Sequence, residues 1–192
     1  MYRLEARDRC RAVAAAFWRR SSQVIVVQEH YRILLKQVQD FALLFPEEIL
    51  FLFEQAEGMA SKKGAIVDVG TFKGGSAIAL ALGVESGGGK DLVHTIDAFE
   101  EHPLFPAQGL WGTQGDVYRE FHNNVRRFGL DGRIQLIVGH SEAVAQKWNH
   151  RIKLLFYDGS VVYEAVKAEV AVWASFLIPG GLLVIHIMEI FL

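Results

Sequence analysis

The chain has 192 residues, 51% hydrophobic and 22% charged, with a formal net charge of −2. That length suits one domain with a sizeable core, and a balance so close to neutral, with no basic stripe, gives no reason to expect nucleic acid or another polyanion as partner. No apolar run reaches the roughly 18 residues of a membrane span and the N-terminus lacks the core and cleavage site of a secretory signal, so a soluble cytoplasmic protein is expected.

Residues 1–20 read as an amphipathic helix, with Leu4, Cys10, Val13, Phe17 and Trp18 compatible with one face and six arginines elsewhere. Cys10 has no second cysteine to pair with and reads as a small apolar residue. Ser21 and Ser22 are candidate caps for a second helix, whose seam runs Val24, Val27, Tyr31, Leu34, Val38, Phe41, Phe45 in steps of three and four. Pro46 opens a third helix, with Glu47 and Glu48 in the first turn where the dipole favours acids, and "SKKG" closes it. Together these form an N-terminal helical cap over residues 1–63.

From residue 64 to 192 strands and helices alternate. Strands are expected at 65–69, 92–97, 133–138, 152–158 and 181–187, and helices at 74–84, 115–129, 141–149 and 162–176. Nearly all-apolar strands such as "KLLFY" and "LLVIHI" suit a mainly parallel sheet covered on both faces, which makes this an α/β, doubly wound domain. There is no internal repeat, and the one long irregular stretch, 98–115, reads as a lid or binding loop.

In such a sheet ligands bind beyond the carboxyl ends of the strands, so the turn after the first strand, "IVDVGTFKGGS", is where chemistry is expected. A phosphate-binding P-loop needs lysine after its last glycine, and Ser76 stands there instead. A dinucleotide fingerprint needs a second glycine where this turn has Thr71 and Phe72. What remains is an acid, Asp68, followed by Gly70, Gly74 and Gly75. A carboxylate there repels phosphate but suits an ammonium or sulfonium group, while glycines let backbone amides at the helix start reach a carboxylate. Asp97 ends the second strand 29 residues beyond Asp68, placed to accept hydrogen bonds from a ribose diol. One ligand that joins amino group, carboxylate, sulfonium and ribose is S-adenosylmethionine.

Four stretches carry a family resemblance: "GAIVDVGTFKGGSAIALA", "VHTIDAF", "FHNNVRRFGLDGRIQLIVGHSEAVAQKW" and "KLLFYDGSVVYEAVKAEVAVWASFLIPGGLLVIHI". With them residues 64–187 resemble a class I S-adenosylmethionine-dependent methyltransferase of the small-molecule O-methyltransferase branch, the branch of macrolide and sugar methyltransferases and cephalosporin hydroxylase-like proteins. The resemblance implies a Rossmann-like fold and methyl transfer to a hydroxyl of a small-molecule acceptor. It places Asp68, Gly70 and Gly74 around the methionine part of the cofactor, Asp97 at the ribose, and Gly139 and Ser141 at the adenine; Thr71, Ser76 and Ala98 complete the binding set. Asp158 would face the methyl group or a divalent cation.

The departures bear on mechanism. After the fourth strand the branch often reads Asp-Gly-Asp-His-x-Tyr-Glu, and its fifth strand often ends His-Asp; here the residues are Asp158-Gly159-Ser160-Val161-Val162-Tyr163-Glu164 and His186-Ile187. Asp158, even with Glu189 nearby, offers too few oxygens for a tight Mg²⁺ site, so no metal site is expected. The family's C-terminal antiparallel hairpin has no counterpart before Leu192, leaving an apolar sheet edge that invites pairing; a homodimer is the expected assembly.

Methyl transfer needs an aligned acceptor and a base, for which Asp158 and His186 are the candidates; the other reading of His186 is a buried histidine bonded to backbone. His140 reads as a rim residue and His94 as a packing residue, while His102, Phe99, Phe105 and Trp111 either line an acceptor pocket or pack within their own loop. A non-catalytic cofactor-binding protein is the alternative, favoured by the lost carboxylates and missing hairpin; an NAD or nucleotide-sugar enzyme is disfavoured by the absent second glycine.

Overall fold

A computed structural model describes residues 29–100 and 114–186. Expectations for residues 1–28, 101–113 and 187–192, Cys10, His102, Phe105, Trp111 and Glu189 among them, lie outside the described residues.

Two helices come first, α1 (Glu29–Val38) and α2 (Pro46–Met59). The alternating region follows as β1 (Ala65–Val69), α3 (Gly75–Ser86), β2 (Val93–Asp97), α4 (Gln114–Arg127), β3 (Ile134–Val138), α5 (Ser141–Ala145), β4 (Ile152–Tyr157), α6 (Tyr163–Ala174) and β5 (Leu177–Ile185). The five strands form one sheet in the order β3-β2-β1-β4-β5, every described pairing parallel. This is the Rossmann-like arrangement expected, and its strand order reverses between β1 and β4, where a crevice opens at the carboxyl ends.

Each face of the sheet carries its own core. On one, Leu35, Ile49, Phe53, Ile78, Leu80 and Phe121 join α1–α4 to Ile66, Leu154 and Phe156; on the other, α5 and α6 cover Val67, Ile96, Leu155 and Tyr157, with Trp173 fully buried. The central strands β1 and β4 are buried from both sides, which is why they read as continuous apolar runs. Lys153 is the exception in β4: its side chain is wholly buried, and Nζ donates to Asp91 Oδ2 at 2.6 Å and to the Lys62 carbonyl at 2.8 Å. Helix α3 is buried from Gly75 to Val84 because it lies between sheet and α2, and the helices meet backbone to backbone. A Cβ at Gly83 would fall 2.2 Å from the Phe53 carbonyl oxygen.

The structure corrects three boundaries. The seam expected to run to Phe45 stops being helical at Val38; Phe41 leaves through a turn to stack edge-on against Phe128, and Phe45, at φ −69°, ψ 156°, takes the extended backbone that Pro46 imposes on the residue before it. Helix α5 ends at Ala145, short of 149; Trp148 then turns in against Trp173, ring centres 5.6 Å apart, and its indole N–H donates to the His150 carbonyl. Strand β5 starts at Leu177 rather than 181, because a bulge lets Ile152 pair with Leu177 and Leu154 with Leu182, absorbing Pro179, Gly180 and Gly181. No described helix is long and apolar enough to cross a membrane.

Candidate functional site

The chain leaves β1 through a glycine turn that has no room for a side chain at its first residue. Gly70 has φ 85°, and a Cβ there would lie 2.2 Å from the Asp158 carbonyl oxygen, so the turn rests on the tip of β4. Gly74, at φ 93°, is the N-cap residue of α3, and Phe72 between them also holds a positive φ of 52°. Hydrogen bonds from Gly70 N to Ile96 O, Gly139 N to Asp97 O and Asp158 N to Val69 O continue the ladder past the strand ends and align four tips.

At the tip of β2, Asp97 Oδ2 accepts from the Phe72 amide at 2.8 Å and Oδ1 from the Phe99 amide at 2.7 Å. These bonds fix the carboxylate plane; the Thr71 amide lies close as well, and acceptor capacity is left for a ligand. Burial raises the pKa of this group and the backbone amides pull it back. Phe99 is only 3% exposed and packs on Tyr118 and Phe121 of α4 rather than lining the cleft or packing on a described residue of its own loop.

Asp158 follows β4, and its Oδ1 lies 3.1 Å from His186 Nδ1; the other ring nitrogen, Nε2, lies 3.5 Å from Glu48 Oε1 on α2. Glu48 Oε2 accepts from the Phe45 amide at 2.8 Å, which anchors the far end of the chain of contacts. Hydrogen bonds to Asp158 and Glu48 outweigh burial and raise the His186 pKa to about 10, so the ring is an imidazolium at neutral pH. Burial pushes Asp158 upward against the pull of His186; Glu48 is also raised by burial, but its bonds from His186 and Phe45 carry the net shift downward.

Asp68 stands apart from this group. It is fully buried beneath the turn, where Thr95 Oγ1 donates to its Oδ2 at 2.6 Å. Burial drives its pKa up to about 6; the Thr95, Ser76 and Thr71 hydroxyls temper this, yet none closes a hydrogen bond on Oδ1, and Thr71 Oγ1 is likewise unpartnered among the described residues.

Beyond β3, the Trp173 indole N–H donates to Ser141 Oγ at 2.9 Å, and Glu169 of α6 comes in beside Ser141, 7% exposed. The Tyr157 hydroxyl, buried and without a completed hydrogen bond among the described residues, faces Glu169. Burial raises the Glu169 pKa; the Ser141 and Tyr157 hydroxyls oppose it. His140 sits on the rim, 3.3 Å from Glu100, with both side chains exposed. His94, inside β2, packs edge-on to Trp148.

These groups surround a cleft of about 290 Å³. Of the residues singled out in the sequence, Gly70, Thr71, Ser76, Asp97, Ala98, Gly139, Ser141, Asp158 and His186 line it, whereas Asp68 and Gly74 do not: Asp68 lies under the floor and Gly74 turns its backbone toward Phe121. Ala42, Leu43, Leu44 and Val161 supply an apolar wall. Glu48 and Glu169 were not foreseen, since each is a helix acid and its sequence neighbourhood does not separate it from a solvated one. Among the described residues no group of three or more His, Cys, Asp or Glu is disposed to hold a metal ion.

The model of a family described as "Methyltransferase domain" matches residues 67–186, over half of the chain. Among solved structures, the O-methyltransferase from Bacillus cereus in complex with SAH is 19% identical, covers 84% of this chain and 68% of its own, and has a TM-score of 0.56. The O-methyltransferase TomG from Streptomyces achromogenes, involved in tomaymycin synthesis and crystallised with SAM, is 16% identical over 91% of this chain and 70% of its own, TM-score 0.59. Cofactor-bound Rv0187 from MTB is 18% identical over 90% and 70%, TM-score 0.58. Likeness at these identities is likeness of fold.

Proposed function

The chain belongs to the methyltransferase domain family, and on that premise we propose that it transfers the methyl group of S-adenosylmethionine to a hydroxyl oxygen of a small molecule. The observation that carries this reading is the Asp97 carboxylate, held by two backbone amides inside the cleft with lone pairs left over, one strand from a glycine turn that opens a helix. A ribose diol matches those lone pairs, and the turn admits an amino-acid end: Gly70 lets the backbone come close and the Thr71 hydroxyl has no hydrogen-bond partner among the described residues. The acids that line the cleft, Asp97, Asp158, Glu100, Glu142 and Glu169, favour a cationic ligand over a pyrophosphate.

When bound, the cofactor supplies a methyl group already activated by positive sulfur. The chain's own residues align and deprotonate. Asp158 takes the acceptor's hydroxyl proton; His186, charged and donating Nδ1–H to Asp158, orients that carboxylate and is no base in this state. Leu43, Leu44 and Val161 keep water from the transfer path. Residues 1–63 act as a cap on the 64–192 domain, a role supported by Ala42–Leu44 lining the cleft and by Glu48 meeting His186. A homodimer is the proposed assembly: β5 is an edge strand whose Leu182, Leu183 and Val184 are only half-buried, and sedimentation that reads a monomer at micromolar concentration would remove it.

Calorimetry with S-adenosylmethionine and with NAD tests the cofactor. Saturable binding of the first alone, lost in Asp97→Ala, is the expected result; binding of NAD, or affinity unchanged in the variant, overturns the reading. A protein that binds without turning over is the second reading, favoured by Asp158 being, of the two candidate bases, the one left once His186 is held as a cation against it. Formation of S-adenosylhomocysteine against a panel of sugars and phenols separates the two.

A further inference from the structure

A nucleoside whose amino-acid end sits at the β1 turn and whose diol meets Asp97 at β2 runs along the strand tips in the order β1, β2, β3. Its base therefore reaches the turn after β3, at Gly139 and Ser141. The wall there includes a residue from the opposite side of the switch point: Glu169, carried by α6 and 7% exposed, lines the same cleft.

Burying a carboxylate is costly, and the surroundings of Glu169 do not repay it with an ion pair: among the described residues no Lys or Arg bridges to it. Two neutral hydroxyls lie beside it instead. Ser141 Oγ already accepts the Trp173 indole N–H, which leaves the serine's own proton for Glu169, and the buried Tyr157 hydroxyl faces it from β4. Since the Tyr157 hydroxyl closes no hydrogen bond among the described residues, the carboxyl keeps acceptor capacity for a ligand in the cleft it lines. For packing alone a leucine would serve.

We propose that Glu169 reads the base of the bound nucleoside: it accepts a hydrogen bond from an exocyclic amino group and excludes a base that presents an oxo oxygen there. The proposal rests on the nucleoside reading of the cleft and adds to it a specificity-determining residue outside the strand-end motifs. A 6-amino purine gives Glu169 an N–H donor; a 6-oxo purine sets two acceptors against each other in a dry wall.

The test is calorimetric titration with S-adenosylhomocysteine and its 6-oxo counterpart S-inosylhomocysteine. The parent chain should bind the amino form at least about tenfold more tightly, the discrimination expected of a buried site with an unmatched polar group. Glu169→Gln, whose amide both donates and accepts, should bring the two affinities within about threefold of each other while Asp97→Ala weakens both alike. Glu169→Asp, which keeps the charge but draws it back, should also narrow the gap, and serves if the glutamine variant does not fold. Unchanged discrimination in a folded Glu169 variant overturns the role of Glu169 and leaves the cofactor reading standing; binding of neither compound to the parent chain overturns both.

Discussion

A methyl group on Gly70 would stand 2.2 Å from the carbonyl oxygen of Asp158: the glycine turn and the tip of β4 touch backbone to backbone. That contact sets how far the β1 turn lies from the carboxylate that would take the acceptor's proton. Gly70→Ala adds the strain of a side chain at φ 85° to the clash, and together these should cost on the order of 3 kcal/mol of stability. Urea unfolding reads the loss. S-adenosylmethionine binding should fall even where the variant is folded, because the turn can relieve the clash only by moving into the cleft.

Asp68→Asn should stabilise the chain at neutral pH. The folded pKa of about 6 lies above the ordinary carboxylate value, so the folded state holds this proton more tightly than the unfolded chain. The cost of ionisation is absent below about pH 4, grows through the interval between the two values and is complete above pH 6. Asparagine can still accept from Thr95 and carries no charge. Unfolding curves should place the variant about 1–3 kcal/mol above the parent at pH 7, with the gap closing at pH 4. A gap that does not change with pH would show that ionisation of Asp68 is not its source.

His186 titrates with the opposite consequence. Its folded pKa of about 10 exceeds the usual histidine value, so the stability it contributes is fully present below about pH 6.5 and is lost as pH rises to 10. His186→Gln should therefore be less stable than the parent at pH 6, by about 2 kcal/mol after allowance for the partly exposed Glu48, and the difference should fade near pH 10. In the parent chain the ring protons of His186 should not titrate between pH 5.5 and 8.5 by NMR; in Glu48→Gln the midpoint should drop. A midpoint near 6.5 in the parent would return His186 to the role of base.

The sheet and the glycine turn were legible because they rest on local signals. Apolar runs with parallel-strand character bracket amphipathic segments, and glycines fall where the backbone must turn left-handed. Asp97 was legible for the same reason, as an acid at a strand end. Asp68 is also an acid at a strand end, yet it faces the floor; its four-residue neighbourhood is apolar whichever way the carboxyl points, so the sequence does not distinguish the two. Glu48 reaches His186, and Glu169 the cleft, only because α2 and α6 dock where they do, and a helix acid facing inward is spelled like one facing water. The early start of β5 was concealed by Pro179-Gly180-Gly181, residues that ordinarily mark a turn and here form a bulge. Lys153 inside an apolar strand gives no hint that Asp91, from the far side of β1, will neutralise it.

At Gly83 the backbone of α3 lies against the Phe53 carbonyl and the Ala56 methyl of α2, so the two helices are coupled along their contact. One end of the pair carries Glu48, and the other member begins at the glycine turn, so neither can shift without dragging its neighbour.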